Sequence, residues 1–247
     1  LVRGDAAQGV ALYLEMPGPD PKGPGEEARR RYRDTRDARA ALRDFPLEFR
    51  FERILLDHLA RGQSPTRALA GLSRELRMLF IHAYQSLLFN RFLSLRWHEG
   101  VRFDQPIIGD TVLRVARDGT VPSTNAVPVE ADNLEEVRTL VSRGGGRVAG
   151  PLIGYATPEG AGRPGAWIDT ILEEEQIRRP MFRLPELPEI ASSGAYRPLL
   201  VPTPPIQVST ESPGETDARL RLRFALPKGA YATVVLREFM KAGSSGP

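Results

Sequence analysis

Between Leu79 and Arg96 runs LFIHAYQSLLFNRFLSLR, the longest apolar pattern in the chain. Phe80, Ala83, Tyr84, Leu87, Leu88, Phe92 and Leu95 fall on one broad stripe at helical spacing, and Phe89 widens it. The spacing predicts a helix buried on most of its sides, with Gln85, Ser86 and Asn90 on a narrower polar face. A stripe that wide is covered only if several other elements pack around it.

Those elements alternate with punctuation. PGPDPKGPG at 17–25 ends a short opening helix, expected at about Asp5 to Glu15, and precedes EEARRRYRDTRDARAAL, whose signs alternate along a helix. In PLEFRFERILLDHLARG the positions Leu47, Phe51, Ile54, Leu55 and His58 or Leu59 share a helical face that Gly62 closes. Ser64 and Pro65 form a cap and first turn, opening a helix through Ala68, Leu69, Leu72 and Leu76. DTVLRV reads as a strand, Asp132 with Glu135 as a helix start, and the glycines at 144–146 as its end. PLIGYAT reads as a further strand and AWIDTILEEEQI as a helix. RPLLVP and PIQVST are short β-rich runs, ARLRLRFAL alternates like a half-exposed strand, and GAYATVVLREFMK has helical spacing, although its β-branched Thr233, Val234 and Val235 suit a strand equally well. With 23 glycines and 22 prolines in 247 residues, the expectation is a mixed α+β chain with helices first and strands concentrated later.

Several chemistries are excluded. The chain has no cysteine, so disulfides, thiolate metal sites and cysteine nucleophiles are out, and a cytoplasmic address is the default expectation. No run of eighteen apolar residues suggests a spanning helix, and no secretory pattern is present. The opening LVRGDAAQGVALYLEM starts on Leu1 and is already amphipathic, which reads as a piece of something longer. GAGRPG at 160–165 matches a dinucleotide fingerprint only literally, because Pro164 sits inside it and no βαβ unit surrounds it. No Gly-Lys pair provides a Walker-type loop, and His58, His82 and His98 lack metal-ligand spacing and read as helix-face residues rather than ligands.

Net charge is +3, and its carriers are unbalanced: three lysines against 31 arginines, the cation whose planar fork suits phosphate and base stacking, with codon bias from a GC-rich genome as the plain alternative. Arg219, Arg221 and Arg223 recur on one face of the 219–223 strand, about 7 Å apart, close to the spacing of phosphates in a single strand. The plain alternative is a solvated sheet face.

AYQSLLFNRFLSLR at 83–96, GAYRPLL at 194–200 and FALPKGAYATVVLREFMK at 224–241 resemble the TruD family of pseudouridine synthases, above all its archaeal and eukaryotic-like branch. LVRGDAAQGVALYL, FERILLDHL, IIGDTVLRV and PLIGY are also similar to that family's phrases, in the same order. The resemblance implies uridine isomerisation in RNA, with transfer RNA as the expected partner and neither metal nor organic cofactor. It also implies a catalytic domain interrupted by a family-specific insertion: residues 1–24 closing its first section, 25–201 the insertion, and 202–247 the returning catalytic strands and last helix.

The family's catalytic aspartate lies in a G-x-K-D phrase, followed by N-Y-F-G-x-Q-R-F-G. Neither phrase occurs here, and none of Lys22, Lys228 and Lys241 precedes an aspartate. Gly229 to Thr233 does match the family's G-[SA]-[YF]-A-T, whose aromatic is expected near the target base. The resemblance therefore implies a substrate contact at Tyr231, in the phrase that Gly229 opens, with a core aromatic at a helix start as the plain alternative. Lys228, Arg237 and the 219–223 arginines lie close to Tyr231 in sequence, and Lys228, Gly229 and Arg237 are expected to contact the substrate with it. RNA contacts are expected at Arg197, Arg219, Arg221 and Arg223, and no catalytic residue within these 247 positions. The alternative reading is an RNA-binding or assembly module without chemistry.

Overall fold

The computed structural model describes residues 1–18, 22–203, 205–211, 219–227 and 230–240. Lys228 and Gly229 lie outside the described residues. The polypeptide starts with helices because its capping residues are placed to start them. Asp5 accepts from the Gln8 N–H at 2.7 Å to open α1 (Ala6–Glu15). The charged segment forms two helices rather than one: α2 (Glu26–Thr35) stops where Arg36 takes a left-handed φ of 55°, and Asp37 then caps α3 (Ala38–Asp44). Two more follow, α4 (Arg50–Ala60) and α5 (Pro65–Ala70), the latter opened by Ser64. The stretch predicted as one helix from Pro65 to Leu76 breaks after Ala70, and Ser73 caps α6 (Arg74–His98).

Two helical faces differ from the sequence reading, each because a polar side chain is drawn inside. In α4 the buried residues are Glu52, Leu55 and Leu56, while Leu47 and Phe51 are exposed. Glu52 turns inward because its Oε1 accepts from Arg29 of α2 at 2.6 Å, with both side chains only 10% exposed. In α6 the buried set is Ile81, Gln85, Leu88, Phe89, Phe92, Arg77 and Arg96, while Ala83 and Leu87 face solvent. Gln85, expected on the polar face, donates through Nε2 to the Ile153 carbonyl and to Ser192 Oγ, each at 2.8 Å.

Four strands form an antiparallel sheet in the order β2-β1-β3-β4: β1 (Thr111–Arg114), β2 (Ala126–Pro128), β3 (Gly146–Leu152) and β4 (Ala195–Pro198). The strand expected at 151–157 therefore lies earlier, ending at Leu152. Between these strands, α7 (Leu134–Ser142) starts after Asn133, not Asp132, because the Asn133 side chain bonds Glu130 N–H and the Pro128 carbonyl. Helix α8 (Gly162–Glu174) begins inside the GAGRPG string, which is a helix start rather than a nucleotide loop.

Helix α6 packs on both α8 and β3 and so joins the helical part to the sheet. Phe89 and Phe92 lie on β3 at Gly150, where an added Cβ would meet both rings at 3.0 Å. Beyond the sheet come the β5 (Gln207–Glu211) and β6 (Arg219–Arg223) hairpin and α9 (Ala232–Met240). Val208, Leu220, Val234, Phe239 and Met240 on these elements are exposed. The architecture is α+β. Among the described residues no helix is long and apolar enough to cross a membrane.

Candidate functional site

The GAYRPLL phrase is held in place by its first residue. Gly194 has φ +90°, and a Cβ there would stand 2.8 Å from the Leu152 carbonyl oxygen. Only glycine accepts both conditions at low cost. Tyr155 and Ala156 N–H donate to the Ser192 and Ser193 carbonyls, and Gln85 reaches Ser192 from α6, so the entry to β4 is tied from two sides. The strand then pairs with β3, with Tyr196 opposite Pro151 and Arg197 opposite Gly150.

Next to β4 is a cavity of about 960 Å³. Its walls come from Asp118–Pro122 between β1 and β2, Arg147 and Leu152 of β3, Tyr196–Pro198 of β4, and Pro227, Ala230 and Tyr231 before α9. Two arginines and two tyrosines thus line one space. Arg147 is fixed by hydrogen bonds from Nη1 to the Gly144 and Gly146 carbonyls, at 2.9 and 2.8 Å. Asp118 accepts from Thr120 N–H and Oγ1 at 3.0 and 2.7 Å, and these bonds hold its carboxyl below the usual range.

Tyr231 directly precedes α9, and its carbonyl accepts from Val234 N–H at 3.0 Å. Tyr231 is 59% exposed. The Arg197 guanidinium carbon lies 5.3 Å from the centre of the Tyr231 ring and 5.5 Å from that of Phe89. Those distances are within cation–π range. An exposed aromatic beside fixed cations can stack a base and hold its phosphate, a pairing that single-stranded RNA sites use.

The sequence-predicted residues are only partly brought together. Tyr231 and Arg197 meet. Arg219, Arg221 and Arg223 are exposed on β6, opposite residue 211, Ser209 and Gln207, and do not line the cavity; Arg223 borders a separate hollow of about 420 Å³. Arg237 is exposed on α9 and also does not line it. Sequence reasoning missed Tyr196 and Arg147. Tyr196 was visible as the neighbour of Arg197 in its phrase, whereas nothing in the local sequence marks Arg147. Among the described residues no cluster of histidine, aspartate or glutamate could hold a metal ion.

The chain was compared with known proteins. The family described as "TruD: tRNA pseudouridine synthase D (TruD)" matches residues 1–239. Proteins named "Probable tRNA pseudouridine synthase D" are similar over 98% of this chain: 38% identical in Thermococcus gammatolerans, 35% in Pyrococcus furiosus and 31% in Methanococcoides burtonii. The chain spans 55% to 57% of the length of these relatives. A crystal structure of a TruD protein from Methanosarcina mazei superposes with a TM-score of 0.89 at 29% identity, over 98% of this chain and 56% of that one.

Proposed function

Because the chain belongs to the TruD family of tRNA pseudouridine synthases, we propose that it supplies the base- and RNA-holding part of a uridine-to-pseudouridine isomerase acting on transfer RNA. The observation that carries the reading is the cavity in which Tyr231 and Arg197, from two motifs of that family, lie 5.3 Å apart. In the reaction the C1′–N1 bond breaks and the base turns. A C1′–C5 bond then forms, C5 loses its hydrogen as a proton and N1 gains one, with no net oxidation.

In this reading Tyr231 stacks the target base, while Lys228, Gly229 and Arg237 contact the substrate around it. Arg197 on the sheet side and Arg219, Arg221 and Arg223 on β6 meet phosphates. The division into 1–24, 25–201 and 202–247 fits this arrangement, with the site between the last two parts. No G-x-K-D phrase occurs in these residues. In this reading the catalytic carboxylate is supplied from outside these residues, and orientation by the cavity does not replace it.

Tritium release from transfer RNA carrying 5-tritiated uridine tests this. The 247-residue chain alone is expected to release none. A chimera joining it to the part of the Methanosarcina mazei protein that this chain does not cover is expected to release tritium. A chimera that binds transfer RNA yet releases no tritium would support the alternative, an RNA-binding module without chemistry. Release by the chain alone would refute the need for the added aspartate.

A further inference from the structure

The contact between Arg197 and Tyr231 has a third member, and it comes from the core. On β3 the residue opposite Arg197 is Gly150. Directly opposed residues in an antiparallel pair project to the same face, with Cβ positions about 5 Å apart. Gly150 has no side chain to project, and Phe89 fills that space: its Cε2 would stand 3.0 Å from a Cβ placed there. Phe89 is 5% exposed and cannot drift, because α6 packs on β3 at this point. The Arg197 guanidinium carbon then lies 5.5 Å from the Phe89 ring and 5.3 Å from the Tyr231 ring. Tyr231 belongs to a segment where α9 buries none of its residues. Its ring has its described aromatic-cation contact with Arg197, and the 59% exposure leaves ring surface open to the cavity.

We infer that Arg197 is a positioning residue for Tyr231: by bridging the Phe89 and Tyr231 rings it fixes the loosely packed start of α9 to the core, so that the Tyr231 ring is preset for a base. The inference rests on the proposed function for what the ring stacks, but the bridge itself does not depend on it. Arginine suits the role because its flat guanidinium stacks on rings while remaining charged, which a lysine ammonium does less well. Gly150 is the enabling position, since a Cβ there would press on the Phe89 and Phe92 rings at 3.0 Å.

Two measurements test the bridge. In the 247-residue chain, the NMR resonances of the Arg197 side chain are expected at ring-shifted positions, and Tyr231→Leu is expected to move them. Resonances that stay in place in Tyr231→Leu would overturn the inference whatever the protein's function. In the tritium-releasing chimera with saturating transfer RNA, Arg197→Ala is expected to slow single turnover roughly 10- to 100-fold. Arg197→Lys should recover part of that rate. In a Tyr231→Ala background the same Arg197→Ala change is expected to have almost no further effect, because a residue acting through the ring has nothing left to position. Equal losses in both backgrounds, or an undiminished rate in Arg197→Ala alone, would overturn the positioning role. If Tyr231→Ala itself leaves turnover intact while the resonances shift, the bridge stands as structure and the site reading fails instead.

Discussion

Tyr231→Ala is expected to slow pseudouridine formation in the active chimera by about 100-fold or more, the scale on which misplacement of a reacting group is felt. Binding of transfer RNA should weaken far less, because it draws on many phosphate contacts while the ring acts on one base. Stacking of a base is worth roughly 1–3 kcal/mol, and a base that has left its own stack depends on it most. Tyr231→Phe keeps the π-face and should retain most of the rate. Tyr231→Ala removes the ring contact with Arg197 and Tyr231→Phe keeps it; because the residue is 59% exposed, the cost to the fold should stay within about 1 kcal/mol for the first and be smaller for the second. A lower melting temperature with turnover intact would instead mark the ring as packing. For contrast, Arg221→Ala on β6 should weaken RNA binding and flatten its salt dependence without touching the chemical step.

Arg96→Ala is expected to destabilise the chain by about 3–5 kcal/mol, a large part of what holds a domain together. Both Arg96 and Asp110 have fully buried side chains, and Nη1 meets Oδ1 at 2.7 Å. Arg96 also donates to the Arg102 carbonyl at 3.1 Å and to the Gln105 carbonyl at 2.7 Å, and its guanidinium carbon is 5.9 Å from the Trp167 ring. Asp110 accepts from Ile107 N–H at 2.9 Å. Together they fix the end of α6 to the loop that feeds β1, and truncation leaves a carboxylate buried without its cation.

Burial already pushes the Asp110 carboxyl up, against the pull of Arg96. Without that pull, the folded variant binds a proton more tightly than the unfolded chain does, so its defect should shrink as pH falls toward the acid range. Chemical denaturation of Arg96→Ala across pH checks both size and sign. Replacing the two residues together by apolar ones of similar volume should recover much of the loss. A defect below about 1 kcal/mol, or one that grows on acidification, would contradict the buried-pair assignment.

Local signals located the elements well and their faces less well. The cap at Ser64 and the alternation at 219–223 act within a few residues, so the chain displays them directly. Which face of α6 turns inward depends on Gln85 reaching Ile153 and Ser192, and on Arg96 reaching Asp110, partners that periodicity does not contain. The rotated face of α4 has the same origin in Arg29 and Glu52. At the site, Tyr231 and Arg197 were legible because each sits in a phrase of the family. Their meeting was not, since it depends on strand register, Gly150 opposite Arg197, and on Phe89 arriving from a distant helix. The arginines of β6 and Arg237 show the converse: nearness to Tyr231 in sequence did not place them on the same cavity.

The most direct measurement is photo-cross-linking of the 247-residue chain to transfer RNA containing 4-thiouridine, with the linked peptides mapped by mass spectrometry. If the cavity holds the base, cross-links are expected on peptides carrying Tyr196 with Arg197 and on the peptide carrying Tyr231, and both should fade in Tyr231→Ala. Cross-links confined to the arginine-rich helices α2 and α3, with none at residues 196, 197 or 231, would place RNA elsewhere and contradict the assignment.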